Sequence, residues 1–117
     1  MNAESIRKFC LALPHTTENV QWTDDLVFKV GGKMYAVVCL ATPKPAQLSF
    51  KCELETFQEL VEREGILPAP YLARAHWVAL VSFDALPTAQ LRALLTTAHQ
   101  LVLASLPRKV RAELGAS

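Results

Sequence analysis

Residues 26–40 read LVFKVGGKMYAVVCL, two runs of β-branched and aromatic residues joined by Gly31-Gly32, and this segment commits the chain to a fold built around a β-hairpin. Successive strand residues point to opposite faces, so the register of the hairpin decides which set of side chains is buried. With a loop of Gly31 to Lys33, Val30 opposes Met34 and Phe28 opposes Ala36. The inner face is then Leu26, Phe28, Val30, Met34, Ala36, Val38 and Leu40, unbroken by charge. A two-residue loop would put Lys33 on the face of Phe28, so the longer loop is expected. Val27, Lys29, Tyr35, Val37 and Cys39 then face the other way, with Lys33 at the tip. After TPKP (42–45), QLSFKC (47–52) alternates as a third strand, with Leu48, Phe50 and Cys52 inward and Gln47, Ser49 and Lys51 outward.

Helical spacing flanks these strands. Ile6, Phe9, Cys10 and Leu13 lie three and four apart, which predicts an amphipathic helix over 2–13 that stops before Pro14, with Asn2 as its cap and Glu4 in its first turn. Residues 15–25 are mostly polar and are expected to form a loop anchored by Trp22. Leu54, Phe57, Leu60 and Val61 predict a second helix over 54–64, ended by Gly65. Pro68 and Pro70 predict an irregular connection, and HWVALVSF (76–83) a fourth strand. Pro87-Thr88 opens a long helix whose stripe is Leu91, Leu94, Leu95, Ala98, Leu101, Val102 and Ser105; Pro107 interrupts it before the basic segment RKVRAELG (108–115). The order α-β-β-β-α-β-α predicts an α+β two-layer sandwich, a mainly antiparallel sheet with helices on one face, as a single domain over 1–117.

Charge is segregated along the chain. Leu26 to Cys52 contains Lys29, Lys33, Lys44 and Lys51 and no acid, whereas Glu53 to Glu64 holds five glutamates against Arg63 alone; the whole chain sums to +1. A sheet face bearing charge of one sign is a candidate surface for a polyanion. No run approaches the ~18 apolar residues of a membrane span, and the N-terminus has neither a basic leader nor a long apolar core, so a cytoplasmic protein without membrane contact is expected. Cys10, Cys39 and Cys52 are odd in number and widely spaced, which favours free thiols over disulfides or zinc.

GGKMYA (31–36), LSFK (48–51), PYLARAHWVAL (70–80) and LPRKVR (106–111) occur in an order and spacing that resembles the MmcQ/YjbR family of small bacterial proteins over nearly the whole chain. The resemblance implies a fold similar to the bacterial frataxin-like (CyaY-like) sandwich and DNA binding through a paired-wing arrangement. The chain departs from that family at Ala98-His99, where members often carry Ser-Tyr, so a contact made by that tyrosine is not carried over.

Lys29, Lys33, Lys44, Lys51 and Arg74, with the adjoining Arg108, Lys109 and Arg111, are therefore the candidate phosphate contacts for duplex DNA, and Tyr71 and His76 a second tier of stacking residues. Against this stands the commoner role of sheet lysines as solubilising and edge-protecting groups. Trp77 opens an apolar strand and reads better as a core anchor. No GxSxG, HExxH, phosphate-loop or dinucleotide fingerprint is present, and inward strand cysteines are inert, so neither catalysis nor a cofactor is expected. The first helix has only Glu4, too few carboxylates for the iron ridge that a frataxin-like fold invites, so no metal is expected either. The rival to nucleic acid is an interaction or small-ligand module, using the acidic helix 53–64 against a protein partner or the cleft between residues 66–76 and the sheet.

Overall fold

In the computed structural model, which describes residues 1–21, 24–40 and 46–115, the hairpin sits inside a six-stranded antiparallel sheet. The elements in chain order are α1 (Ala3–Ala12), β1 (Thr16–Gln21), β2 (Asp25–Val30), β3 (Lys33–Cys39), β4 (Leu48–Lys51), α2 (Leu54–Leu60), β5 (Ile66–Pro68), β6 (Trp77–Leu80), α3 (Thr88–Ser105) and α4 (Arg108–Glu113). Spatially the strands run β1-β2-β3-β4-β6-β5. The helices lie on one face, α3 across β3 and β4, α1 beside β1, and α2 beside β5 and β6. Among the described residues no helix is long and apolar enough to cross a membrane.

The sheet has two strands more than the sequence pattern predicts. Residues 16–21, expected as a loop, pair along their whole length with β2, from Thr16 opposite Val30 to Gln21 opposite Asp25. This edge strand is polar because one side of it meets water, which hides it from a search for apolar alternation. The Trp22 expected to anchor it lies outside the described residues. Likewise Ile66–Pro68 pairs with β6 instead of forming an irregular connection. Proline is tolerated there because β5 is the opposite edge, where an absent N–H breaks no ladder.

The hairpin register also differs from expectation, and in an informative way. Gly31 (φ +59°) and Gly32 (φ +82°) make a two-residue turn that sets Val30 opposite Lys33. Phe28 nevertheless pairs with Ala36 as expected, because a bulge between Phe28 and Lys29 inserts Tyr35 as an extra residue on β3. Tyr35, expected outward, is therefore fully buried beneath the helices, and Met34, expected inward, packs on the opposite face with Trp77. The turn chemistry fixes the tip and the core fixes Phe28; the bulge reconciles them.

Tyr35 then organises the contact between sheet and helices. Its hydroxyl donates to the Cys10 carbonyl at 3.3 Å and accepts from Thr16 Oγ1 at 3.0 Å. Its ring meets His99 edge-on at 5.3 Å, and His99 Nε2 donates to the Pro14 carbonyl at 2.6 Å. One bulged residue thus joins α1, β1 and α3, and the Tyr35 hydroxyl and His99 Nε2 both find partners. At its N-terminus α1 is closed by a reciprocal cap, Asn2 Oδ1 accepting from Ser5 N and Ser5 Oγ from Asn2 N. Beside it Arg7 grips Glu18 of β1 through two nitrogens, with Nη2 at 2.7 Å.

At the far end of the hairpin, the junction of α3 and α4 packs onto the glycine turn. A Cβ on Gly31 would collide with Leu106 Cδ1 and stand 3.2 Å from Val110 Cγ1, whereas one on Gly32 would meet nothing. Alanine at Gly32 should cost about 1 kcal/mol for its left-handed backbone alone. Gly31→Ala adds overpacking and should cost roughly 2–4 kcal/mol. Urea unfolding of both variants checks the order; equal losses would mean that α4 does not rest on the turn.

Burial pushes the Cys10 thiol from 9.0 up to about 12, raises the Tyr35 hydroxyl, and takes Cys52 up to about 11. The unfolded chain releases these protons near their ordinary values while the fold retains them, so stability is whole below pH 9.0 and falls as pH rises toward about 12. The denaturation midpoint should therefore drop steadily above that lower limit, and Cys10→Ala should flatten the drop.

Candidate functional site

The sheet face away from the helices carries a second, smaller apolar cluster. Trp77, Ala69 and Ala79 are buried there, with Met34, Val37 and Leu72 packed around them. The cluster forms because the chain between β5 and β6 folds back over the sheet. Ala69 N donates to the Trp77 carbonyl at 3.0 Å, Trp77 N to the Leu72 carbonyl at 3.2 Å, and a single 3₁₀ turn over Ala73–Ala75 ends at His76 in left-handed geometry. Trp77 is accordingly a core anchor, only on the second face. That face is half covered by the connection rather than open throughout.

Two residues hold the connection down. Lys51 Nζ donates to the Ala75 carbonyl at 2.7 Å, at the end of the 3₁₀ turn. The His76 carbonyl accepts from Cys52 N at 2.9 Å and Cys52 Sγ at 3.3 Å. The His76 ring leans on Phe57 of α2, centroids 5.9 Å apart. Tyr71 stands fully in water with φ +66°. The second-tier pair is thus divided, His76 half-buried against the helix layer and Tyr71 projecting alone.

Most of the predicted cations gather at one end of the sheet. Lys29 lies on the second face opposite Met34, Lys33 is exposed beside the glycine turn, and Lys51 sits at the same end of β4. Arg74 is exposed on the turn that Lys51 secures. Because Leu106 and Val110 pack on Gly31, α4 brings Arg108, Lys109 and Arg111 to this tip as well. Lys44 lies outside the described residues. Among the described residues Lys29, Lys33, Arg74, Arg108 and Lys109 form no ion pair, while Arg7 and Arg63 are neutralised by Glu18 and Glu59. The acidic helix α2 packs in the helix layer against β5 and β6 and does not intrude between these cations, although exposed Glu53 borders them.

Next to the cations a pocket of about 560 Å³ opens between the sheet and the segment from Ala69 to Leu72. Met34, Val37 and Cys39 line it from the sheet and Pro70, Tyr71 and Leu72 from the connection, with Asp25 as its one charged lining residue among the described residues. Asp25 forms no ion pair among the described residues. The cleft between residues 66–76 and the sheet, expected as the rival site, is therefore a formed cavity. Sequence reasoning missed Asp25, because its place on the pocket depends on the unrecognised pairing of Asp25 with Cys39 at the start of β2. Among the described residues no group of three or more histidine, cysteine, aspartate or glutamate side chains is placed to hold a metal.

A family model described as YjbR matches residues 11–101. Among solved structures, the chain is similar to the crystal structure of Deinococcus radiodurans protein DR2400, which carries the domain DUF419, at 32% identity and a TM-score of 0.84, covering 99% of this chain and 89% of that one. A protein from Pseudomonas syringae shares the fold at 20% identity and a TM-score of 0.70, covering 87% of this chain and 99% of that one. No curated protein matches the chain.

The cysteines supply a probe of the pocket. Burial holds Cys10 and Cys52 protonated up to about 12 and about 11, so neither forms thiolate near pH 8. Half-buried Cys39, on the pocket floor, should be the site that iodoacetamide modifies in the native protein, and mass spectrometry of the labelled peptide should find Cys39 alone. Equal labelling of Cys10 would show that the core opens.

Proposed function

Since the chain belongs to the YjbR family, we propose that it binds DNA, without catalysing a reaction, by laying the hairpin end of its sheet against the phosphate backbone. The observation that supports this most is the gathering of unpaired cations at the hairpin end of the sheet, Lys29 and Lys33 from the hairpin, Arg74 from the covering connection, and Arg108 and Lys109 from α4. Arg7 and Arg63 are, in contrast, matched with carboxylates, so the cations at the hairpin end remain available to an anion. The end of the hairpin acts as a wing against the backbone while its lysines displace counterions. Lys51, whose ammonium is engaged by the Ala75 carbonyl, adds positive potential and holds Arg74 in place more than it reaches outward. Free cysteines fit a cytoplasmic setting.

Titration of a fluorescent duplex at a series of salt concentrations is the direct test. Engagement of about four phosphates gives a slope of roughly −3.6 in log K against log salt, and each contacting cation removed should reduce its magnitude by about 0.9. Lys33→Ala and Arg74→Ala should each produce that step while leaving thermal stability unchanged, because both side chains are exposed. Absence of binding at low salt, or slopes indifferent to both substitutions, overturns the proposal.

A further inference from the structure

We propose that the pocket on the second sheet face receives one unstacked nucleobase, whose phosphate is held by the hairpin-end cations; this rests on the nucleic-acid function above and specifies which part of the polymer enters the protein. Three independent features of the pocket converge on this ligand.

Shape is the first. The cavity of about 560 Å³ is lined largely by apolar side chains, Met34 and Val37 from the sheet and Pro70 and Leu72 from the connection. A ring system with apolar faces suits such a lining, and the volume lies within the range of small-molecule sites.

The second feature is a polarity gradient along the slot. At one end Met34 is the cross-strand partner of Lys29, and Ser49 is two residues from Lys51 on the same face of β4, so this end opens onto the cations. At the other end stands the carboxylate of Asp25, without an ion pair among the described residues, four residues from Lys29 and hence about 13 Å away along the strand. A nucleotide has the matching asymmetry, with its negative charge at one end and amino or ring N–H donors at the far edge of the base. An ionised carboxylate only accepts, so Asp25 selects those donors and repels a phosphate, which fixes the direction of entry.

Tyr71 is the third. A large ring held fully in water by a left-handed, non-glycine backbone is costly in the free protein. At the mouth of the slot it is placed to stack on the neighbouring base. Bases inside a duplex are already stacked and paired, so the slot favours single strands, frayed ends or bulges over closed duplex.

The experiment compares a short single strand carrying a fluorescent adenine analogue with a blunt duplex of the same length at matched salt. The analogue should be quenched on binding, the single strand should bind about tenfold more tightly than the duplex, and it should shield Cys39 from iodoacetamide. Val37→Trp fills the slot, and Tyr71→Gly removes the ring while keeping the backbone geometry. Each should bring the single strand down to the duplex affinity, and Val37→Trp should leave the duplex salt slope unchanged. Equal affinity for both forms, or quenching and Cys39 protection that persist in folded Val37→Trp protein, overturns the pocket assignment while the backbone-binding function stands. Failure of either form to bind at low salt removes both.

Discussion

The two-residue turn at Gly31-Gly32 is the constraint on which the remaining structure depends. Both residues need positive φ, and together they force Val30 opposite Lys33. The core independently requires Phe28 opposite Ala36. These two requirements are one residue out of step, and the bulge at Tyr35 absorbs the difference. Its consequences extend to both faces of the sheet. Inward, Tyr35 joins α1, β1 and α3 through Cys10, Thr16 and His99. Outward, Met34 is released to the second face, where it packs by Trp77 and walls the pocket. The absence of a side chain at Gly31 is equally needed, since Leu106 and Val110 occupy the space and seat α4 on the tip.

Electrostatics follows from this arrangement rather than from composition. A net charge of +1 is unremarkable for a chain of this length, yet the fold sorts its charges. Arg7 is consumed by Glu18 in tying α1 to the edge strand, and Arg63 by Glu59 within the acidic segment. The cations at the glycine turn receive no carboxylate among the described residues. Lys51 belongs to neither group. Its ammonium caps the 3₁₀ turn at Ala75, so its charge remains in the patch while its geometry serves the connection that carries Arg74 and Tyr71.

Much of the architecture was legible in the sequence because apolar spacing reports burial directly. The α+β class, the capped first helix, the long α3 and the inward set of Leu48, Phe50 and Cys52 all follow from period and punctuation. What escaped is what periodicity does not encode. β1 is polar because it is an edge, and β5 is short and proline-bearing for the same reason. The bulge was invisible because both rival registers satisfied part of the pattern; the answer uses one at the tip and the other in the strand. The lysines of the site were legible as a stretch without acids. Their meeting with Arg108 and Lys109 was not, because it depends on Gly31 lying beneath Leu106, a contact between segments some seventy-five residues apart in sequence (106 against 31).

The two faces of the sheet divide the work between them. The helix face holds the continuous core and the polar network around Tyr35, so its side chains are committed to stability. On the second face a small cluster around Trp77 supports the returning connection, leaving Asp25, Val37 and Met34 lining space that no described side chain fills. A cavity bounded by apolar walls forfeits dispersion contacts that close packing would have supplied. The connection instead stands off the sheet, secured at one end by Lys51 and Cys52, with a tyrosine displayed at its outer bend in a conformation that glycine would adopt more readily. An unfilled slot, a strained exposed aromatic and an unpaired carboxylate each weaken the free protein slightly, and all three lie within one pocket beside the cationic patch. A ligand that occupies the slot, stacks on the ring and donates to the carboxylate relieves all three at once.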